Sequence, residues 1–399
     1  MVAKRICVLN PYLPTLGGGE KYMGYMLQFI ENYYDDVQID IIVHNFDEEN
    51  VHYDDYVSIE DLNRKFGLNL KHTGLLKVDL GTSSSLFTRA VSKHKIERIT
   101  RGYDLFINHM YLSRHVGFAR RNLYLCMFPP KPHITGARNA LAAIRSKILD
   151  ARFINRYDRF ISISEYTDYW LSRYWRSAGA KSLIIYPPVF TESEIADRYQ
   201  ESKKENIIIS VGRFFIGDHC KRQLDMVRFF VNNQDKLGDY EYHLVGSVSN
   251  STRDLDYFKQ VSDLAGTVNN VIIHRDCPYE ELIDLYSRAK IFWHATGFQA
   301  DEDEHPEKME HFGITTVEAM SYGAVPVVIN RGGQKEIVKD GENGFLWETL
   351  EQCIENTSKL INDNDLRIRF ANISVERAGI FSIEEFYKRT DQLFRQLSQ

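Results

Sequence analysis

Short aliphatic and β-branched runs alternate along the chain with stretches whose apolar residues recur at helical spacing, the pattern of parallel strands joined by crossover helices. In the first half the predicted strands are RICVLN (5–10), QIDIIVHN (38–45), DLFINH (104–109), NLYLCMF (122–128), RFISIS (159–164) and SLIIYP (182–187). In the second half they are NIIISVG (206–212), EYHLVG (241–246), NVIIHR (270–275), KIFWHA (290–295) and VPVVIN (325–330). Two such sets predict two α/β sheets, expected as domains over 1–188 and 205–375. The intervening YPPVFTESEIADRYQESKKEN (186–206) has a Pro pair and then a polar, charged run, the composition of a linker. The tail opens on Ser382 and Glu385, spaced as a capping box, and places Phe386, Leu393 and Leu397 on one helical face. It is expected as a helix over 380–399 that packs back on the body of the protein.

Composition keeps the chain in the ordinary globular class, with 43% hydrophobic and 26% charged residues over 399 positions. Five well-separated cysteines give no zinc or disulfide pattern and fit a reducing compartment, so the expected location is cytoplasmic. No run approaches the roughly 18 apolar residues of a membrane span, and the first apolar run is too short for a signal sequence. Charge changes the picture more. The net charge is −6, yet residues 86–185 hold 18 Lys/Arg against 6 Asp/Glu. A basic stretch in an acidic chain reads either as a solvated surface or as a site for an anionic partner. The segment 137–160 within it is basic with apolar residues at helical intervals. It suits an anionic membrane face or, equally, an amphipathic helix packed on its own sheet. No nucleic-acid module accompanies it.

Three constellations carry candidate chemistry. The first is Gly17, Gly18 and Gly19 after the first strand, which read either as a phosphate cradle at a helix N-terminus or as a flexible turn. The dinucleotide pattern GxGxxG fails because Tyr22 stands at its third glycine. In the second, Arg213 follows a buried strand and a glycine, and Lys221 lies eight residues on. Cations outside the carboxyl ends of doubly wound strands suit a diphosphate. The third is EHFGITTVEAMSYGAVPVV (310–328). Here Thr315 and Glu318 have capping-box spacing, Gly323 is placed to stop a helix, and Glu310 lies outside that helix with no structural role evident. The Phe312-Gly313-Ile314 turn offers backbone N–H groups to an anion. The acidic run Asp301 to His305 reads as a solvated loop in preference to a hard-metal site, so no metal is expected.

Taken together, GGGE (17–20), YPPV (186–189), VGRF with Lys221, the E-x7-E pair Glu310 and Glu318, and GGQKEIVKDGENGFLW (332–347) resemble the retaining GT-B glycosyltransferases of family 4. The resemblance runs the length of the chain. It implies an α/β, GT-B fold of two Rossmann-like domains facing each other across a cleft, and transfer of a hexose from a GDP- or UDP-linked sugar to a glycan or lipid-linked acceptor. EHFGI also resembles mannosyltransferases, which leans the sugar toward mannose. By resemblance Glu310, Arg213 and Lys221 are catalytic; Glu318, Gly18, Gly19, Phe312, Gly313, Ile314, Thr315 and Arg275 bind the donor; no cofactor is needed. Many members carry a histidine after the strand that reads NLYLCMF; this chain has Met127 there, and His109 is the nearby candidate on the acceptor side. A phosphorylase or hydrolase on the same scaffold, and a non-catalytic nucleotide-sugar-binding protein, are the alternatives.

Overall fold

The computed structural model describes residues 4–11, 16–44, 58–80, 86–132 and 140–398. The chain divides into two compact units, Met1–Pro188 with Glu385–Gln399, and Val189–Glu384.

In the first unit seven parallel strands form one sheet: β1 (Arg5–Leu9), β2 (Gln38–His44), β3 (Thr73–Val78), β4 (Leu105–Asn108), β5 (Arg121–Cys126), β6 (Arg159–Ser162) and β7 (Ser182–Ile184), in the order β3-β2-β1-β4-β5-β6-β7. β1 is buried between β2 and β4, and Ile6, Cys7, Val8 and Leu9 are almost fully enclosed. Each sheet face has its own core. One gathers Ile6, Val8, Ile107 and Leu125 with the helix Gly18–Tyr33; the other gathers Cys7, Leu9, Phe106 and Tyr124 with Phe153 and Trp175. Alternation along the strands therefore serves two buried faces, which is why they read as continuous apolar runs. The C-terminal helix Ile383–Ser398 completes the first of these cores with Phe386, Leu393, Phe394 and Leu397.

In the second unit six parallel strands follow: β8 (Glu205–Val211), β9 (Glu241–Gly246), β10 (Val271–Arg275), β11 (Ala289–His294), β12 (Val325–Ile329) and β13 (Phe345–Trp347), ordered β10-β9-β8-β11-β12-β13. In both units the strand order reverses beside the first strand, between β1 and β4 and between β8 and β11. Crossovers leave to opposite sides at that point and open a crevice at the carboxyl ends of the two strands.

Three features differ from the sequence expectation. β3 was not anticipated, because its residues are half-exposed and Lys77 and Gly74 interrupt the apolar run. β13 is only three residues long. The segment after the Pro pair is folded rather than extended: Thr191 caps a helix, Glu192–Arg198, with Glu194 returning to the Thr191 N–H at 2.7 Å, and Phe190 is buried with a bridge to Ser382. The charged letters that suggested a linker are a capping box and the solvent face of that helix.

Candidate active site

The second unit's site is built at the switch point. β8 ends at Val211, and Gly212 follows with its N–H bonded to the Val245 carbonyl at 2.9 Å. A Cβ on Gly212 would lie 2.7 Å from Cγ of Lys221, so this glycine leaves room for the lysine stem. The Lys221 ammonium pairs with Oε2 of Glu310. The same oxygen lies 3.1 Å from Nε2 of His294, the last residue of β11, and Thr296 Oγ1 is 3.1 Å from that nitrogen. The side chains of Lys221 and Glu310 are 22% and 19% exposed and that of His294 only 3%, so a partly enclosed ion pair rests against a buried ring. Burial pushes the Glu310 carboxyl up, but the Lys221 charge and the His294 hydrogen bond outweigh it and hold the group well below the usual carboxylate range. His294 is pulled the other way, its burial lowering it despite the neighbouring carboxylate. The site thus holds an ionised carboxylate, a cation and a neutral imidazole.

The backbone of this turn is braced by Gly332 and Gly333. The Gly333 N–H donates to the Glu310 carbonyl at 2.8 Å. A Cβ on Gly332, where φ is +59°, would sit 2.2 Å from that carbonyl. Gly332 in turn donates to Glu302 at 3.1 Å, and Glu302 pairs with Lys335 at 2.9 Å. Asp301 accepts the N–H groups of Asp303 and Glu304. The acidic loop is therefore occupied in holding itself, and among the described residues no three potential metal ligands come together.

The helix Ile314–Ser321 begins differently from the expectation. Its N-cap is Gly313, at φ +122°, with no side-chain cap. Thr315 and Glu318 both lie inside the helix, so their spacing is an i,i+3 contact row and not a capping box. The Glu318 carboxylate accepts a hydrogen bond from Tyr286 Oη at 3.2 Å instead. At the other end Gly323, at φ +79°, bonds back to Met320 and Ala324 to Ala319, a Schellman closure. The first N–H groups of the helix, at Ile314 and Thr315, have no partner within the helix itself. Phe312 instead buries its ring edge-on against Phe381, 5.2 Å between centroids.

The remaining predicted residues fall apart from this cluster or in the other unit. Arg213 is exposed, with its guanidinium 5.3 Å from the Phe215 ring centroid. Arg275 ends the edge strand β10 and bonds its neighbour Asp276 at 3.1 Å. In the first unit Gly18 and Gly19 open the helix after β1, and the Gly17 N–H is held by Glu20 at 2.8 Å. His109, at the end of β4, donates through Nε2 to the Gly19 carbonyl at 3.0 Å. A Cβ on Gly19 would lie 3.5 Å from Met127 Sδ. Gly19, His109 and Met127 therefore come together at the first unit's switch point. His109 is buried, and burial brings it down to about 4.

Sequence reasoning missed His294, Tyr286 and the bracing role of Gly332 and Gly333. His294 was visible: it ends a predicted strand next to the switch point, the same rule that singled out Arg213. Glu310, expected to lack structural partners, has two.

Two doubly wound parallel units define the GT-B architecture, and solved structures bear this out. Anabaena Alr3699/HepE in complex with UDP and glucose superposes with a TM-score of 0.67 at 15% identity, covering 99% of both chains. Residues 191–377 match the family Glycosyl transferases group 1. A GDP-Man:Man(3)GlcNAc(2)-PP-Dol alpha-1,2-mannosyltransferase of Caenorhabditis elegans is 27% identical over 240 residues, 55% of this chain and 48% of that protein. A D-inositol 3-phosphate glycosyltransferase of Corynebacterium urealyticum is 22% identical over 352 residues, 82% of this chain and 79% of that one. The chain thus matches about half the length of the curated mannosyltransferases it resembles.

Proposed function

We propose that the protein transfers a hexose, with mannose favoured, from a nucleotide-diphosphate sugar to a glycan or lipid-linked acceptor with retention at the anomeric carbon. The observation that carries this reading is the Lys221–Glu310–His294 cluster beyond the carboxyl ends of β8 and β11, inside the segment 191–377 that matches the group 1 family. In the reaction the anomeric C–O bond to the diphosphate breaks and its electron pair leaves with the phosphate. The acceptor hydroxyl forms the new C–O bond and its proton passes to the departing diphosphate. Lys221 and Arg213 stabilise the charge that grows on the leaving group, and the ionised Glu310 favours the positive charge at the anomeric carbon. Glu318 receives the ribose hydroxyls, and the N–H groups of Gly313, Ile314 and Thr315 meet the donor. The first unit binds the acceptor beside His109 and Met127.

Mannose and a lipid-linked acceptor are favoured by the likeness to the Caenorhabditis elegans mannosyltransferase. A membrane-face acceptor also suits the helix Ala140–Asn155, where Leu141, Ile144 and Ile148 are 79%, 57% and 49% exposed among Arg145, Lys147 and Arg152. Among the described residues no helix is long and apolar enough to cross a membrane. The test is release of nucleoside diphosphate and formation of product from GDP-mannose and UDP-sugars with lipid-diphosphate glycan acceptors. GDP-mannose is expected to give the highest turnover, and Glu310→Gln to abolish it with the fold intact. Absence of transfer from every donor, or a Glu310→Gln variant as active as wild type, sinks the reading.

A further inference from the structure

His294 is the one member of the cluster whose place the proposed chemistry leaves unexplained. β11 is paired on both sides, to β8 and β12, and His294 at its carboxyl end lies opposite Val328 of β12. Nε2 faces Glu310 and Thr296, while Nδ1 is buried with no hydrogen-bond partner among the described residues. A carboxylate only accepts, so the hydrogen sits on Nε2 and Nδ1 keeps a bare lone pair. Leaving a buried nitrogen unsatisfied is costly, and an apolar side chain of similar size would avoid the cost. What the ring supplies is a neutral donor aimed at Oε2. A lysine or arginine in its place would add a second charge beside Lys221; the imidazole holds the carboxylate without neutralising it further.

We propose that His294 is the positioning residue of Glu310: it fixes Oε2 and keeps the carboxylate ionised when Lys221 is drawn from it to an incoming diphosphate. The inference rests on reading Glu310 as the carboxylate that faces the transferred sugar. Before the donor arrives Glu310 has two partners. Once the phosphates compete for the Lys221 ammonium, the His294 hydrogen bond is what prevents the carboxyl from drifting in angle or taking up a proton. The other titratable groups around this carboxylate are His219, from the same loop as Lys221, and His311, its neighbour in the chain; their rings meet edge-on at 4.6 Å. Both are held below the ordinary histidine range by burial, so over neutral pH they are neutral and do not replace the lysine.

Two arms test this. In the first, 15N-histidine NMR of the full chain should show His294 as the neutral Nε2–H tautomer, with its resonances moved by Glu310→Gln. In the second, His294→Leu should lower kcat by about 10- to 100-fold, the range for a hydrogen bond to a charged group, with little change in KM for the donor. The acid limb of its pH–rate profile should move to higher pH, because the carboxylate has lost a partner that favours its charged form. His294→Gln, which keeps an N–H donor at similar reach, should restore much of both. An Nδ1–H tautomer, or a folded His294→Leu variant with wild-type kcat and an unmoved acid limb, overturns the proposal. If wild type transfers no sugar at all, the reading of the activity falls, and the NMR arm by itself decides whether His294 holds Glu310.

Discussion

His109 is a buried titratable group at a strand end and Glu310 a partly enclosed one in the loop before the helix Ile314–Ser321, and pH acts on them in opposite ways. Glu310 is held ionised by a cation, whereas His109 has only a carbonyl and the nearby Glu20 carboxylate to offset its burial. Its folded value of about 4 lies below the roughly 6.5 of an exposed histidine. Between those values the unfolded chain binds the extra proton, so stability is complete above pH 6.5 and is lost as pH falls toward 4. The loss amounts to about 3 kcal/mol from this group. His109→Gln, which can still donate to the Gly19 carbonyl, should reduce the drop in urea midpoint of the first unit between pH 7 and pH 4.5. Part of the drop should persist, because His115 is brought to about 4 in the same unit. An unchanged drop would mean that His109 is not buried as a neutral ring. Residue type and place in the pattern made these groups legible in the sequence: His109 closes a predicted strand, Lys221 follows a strand and a glycine, and Glu310 stands outside the helix that begins at Ile314. Their partners were not: the Glu310–His294 contact joins positions sixteen apart, across a loop whose path no local pattern records.

At the scale of elements, the turn that carries Glu310 is shaped from behind. Gly333 has an ordinary right-handed backbone, φ −67°, so alanine there brings no strain of its own. Its Cβ would nonetheless lie 2.6 Å from Phe312 Cα and carbonyl oxygen and 2.8 Å from the His311 carbonyl. These are backbone atoms and cannot rotate away. Gly333→Ala should therefore cost about 1–3 kcal/mol of second-unit stability and weaken nucleoside-diphosphate binding in a calorimetric titration. Gly341→Ala is the control: φ is +74° but nothing lies within 4 Å of a Cβ. It should cost about 1–2 kcal/mol through backbone strain alone and leave ligand binding at the wild-type value. If both variants bind equally well, the glycine pair does not shape the turn. Element type was readable wherever burial was two-sided. It failed at β3, where Gly74 and Lys77 interrupt a half-exposed run, and at β13, where only three apolar residues stand between Gly344 and Glu348. It also failed at Thr315–Glu318, where a capping pattern occurs within a helix that a glycine starts.

At the scale of the whole molecule, the chain leaves the first unit at Pro188, builds the second, and returns at Glu385. The returning helix is part of a core. Phe386 meets Tyr22 edge-on at 5.1 Å, and Phe394 packs on Phe29 and Tyr33 at 5.6 and 5.7 Å. Arg389 donates to the Ile184 carbonyl at 3.3 Å, beside the last strand of the first sheet. Four buried apolar side chains at about 1.5–3 kcal/mol each are worth roughly 6–12 kcal/mol, as much as a typical domain's entire margin of about 5–15 kcal/mol. The first unit therefore cannot reach its full stability until residues 385–397 have been made, although its other strands and helices are complete by residue 188. A chain ending at Ser382 should retain the second unit's unfolding transition and lose that of the first. Its near-ultraviolet circular dichroism should weaken as the Tyr22, Phe29 and Tyr33 cluster opens, and proteolysis should cut within residues 16–44 before residues 205–347. Supplying residues 383–399 as a separate peptide should restore the first transition with a concentration dependence, because the helix then binds only the folded unit. A truncated chain that keeps both transitions at wild-type temperatures would show that the helix lies on the first unit without supporting it.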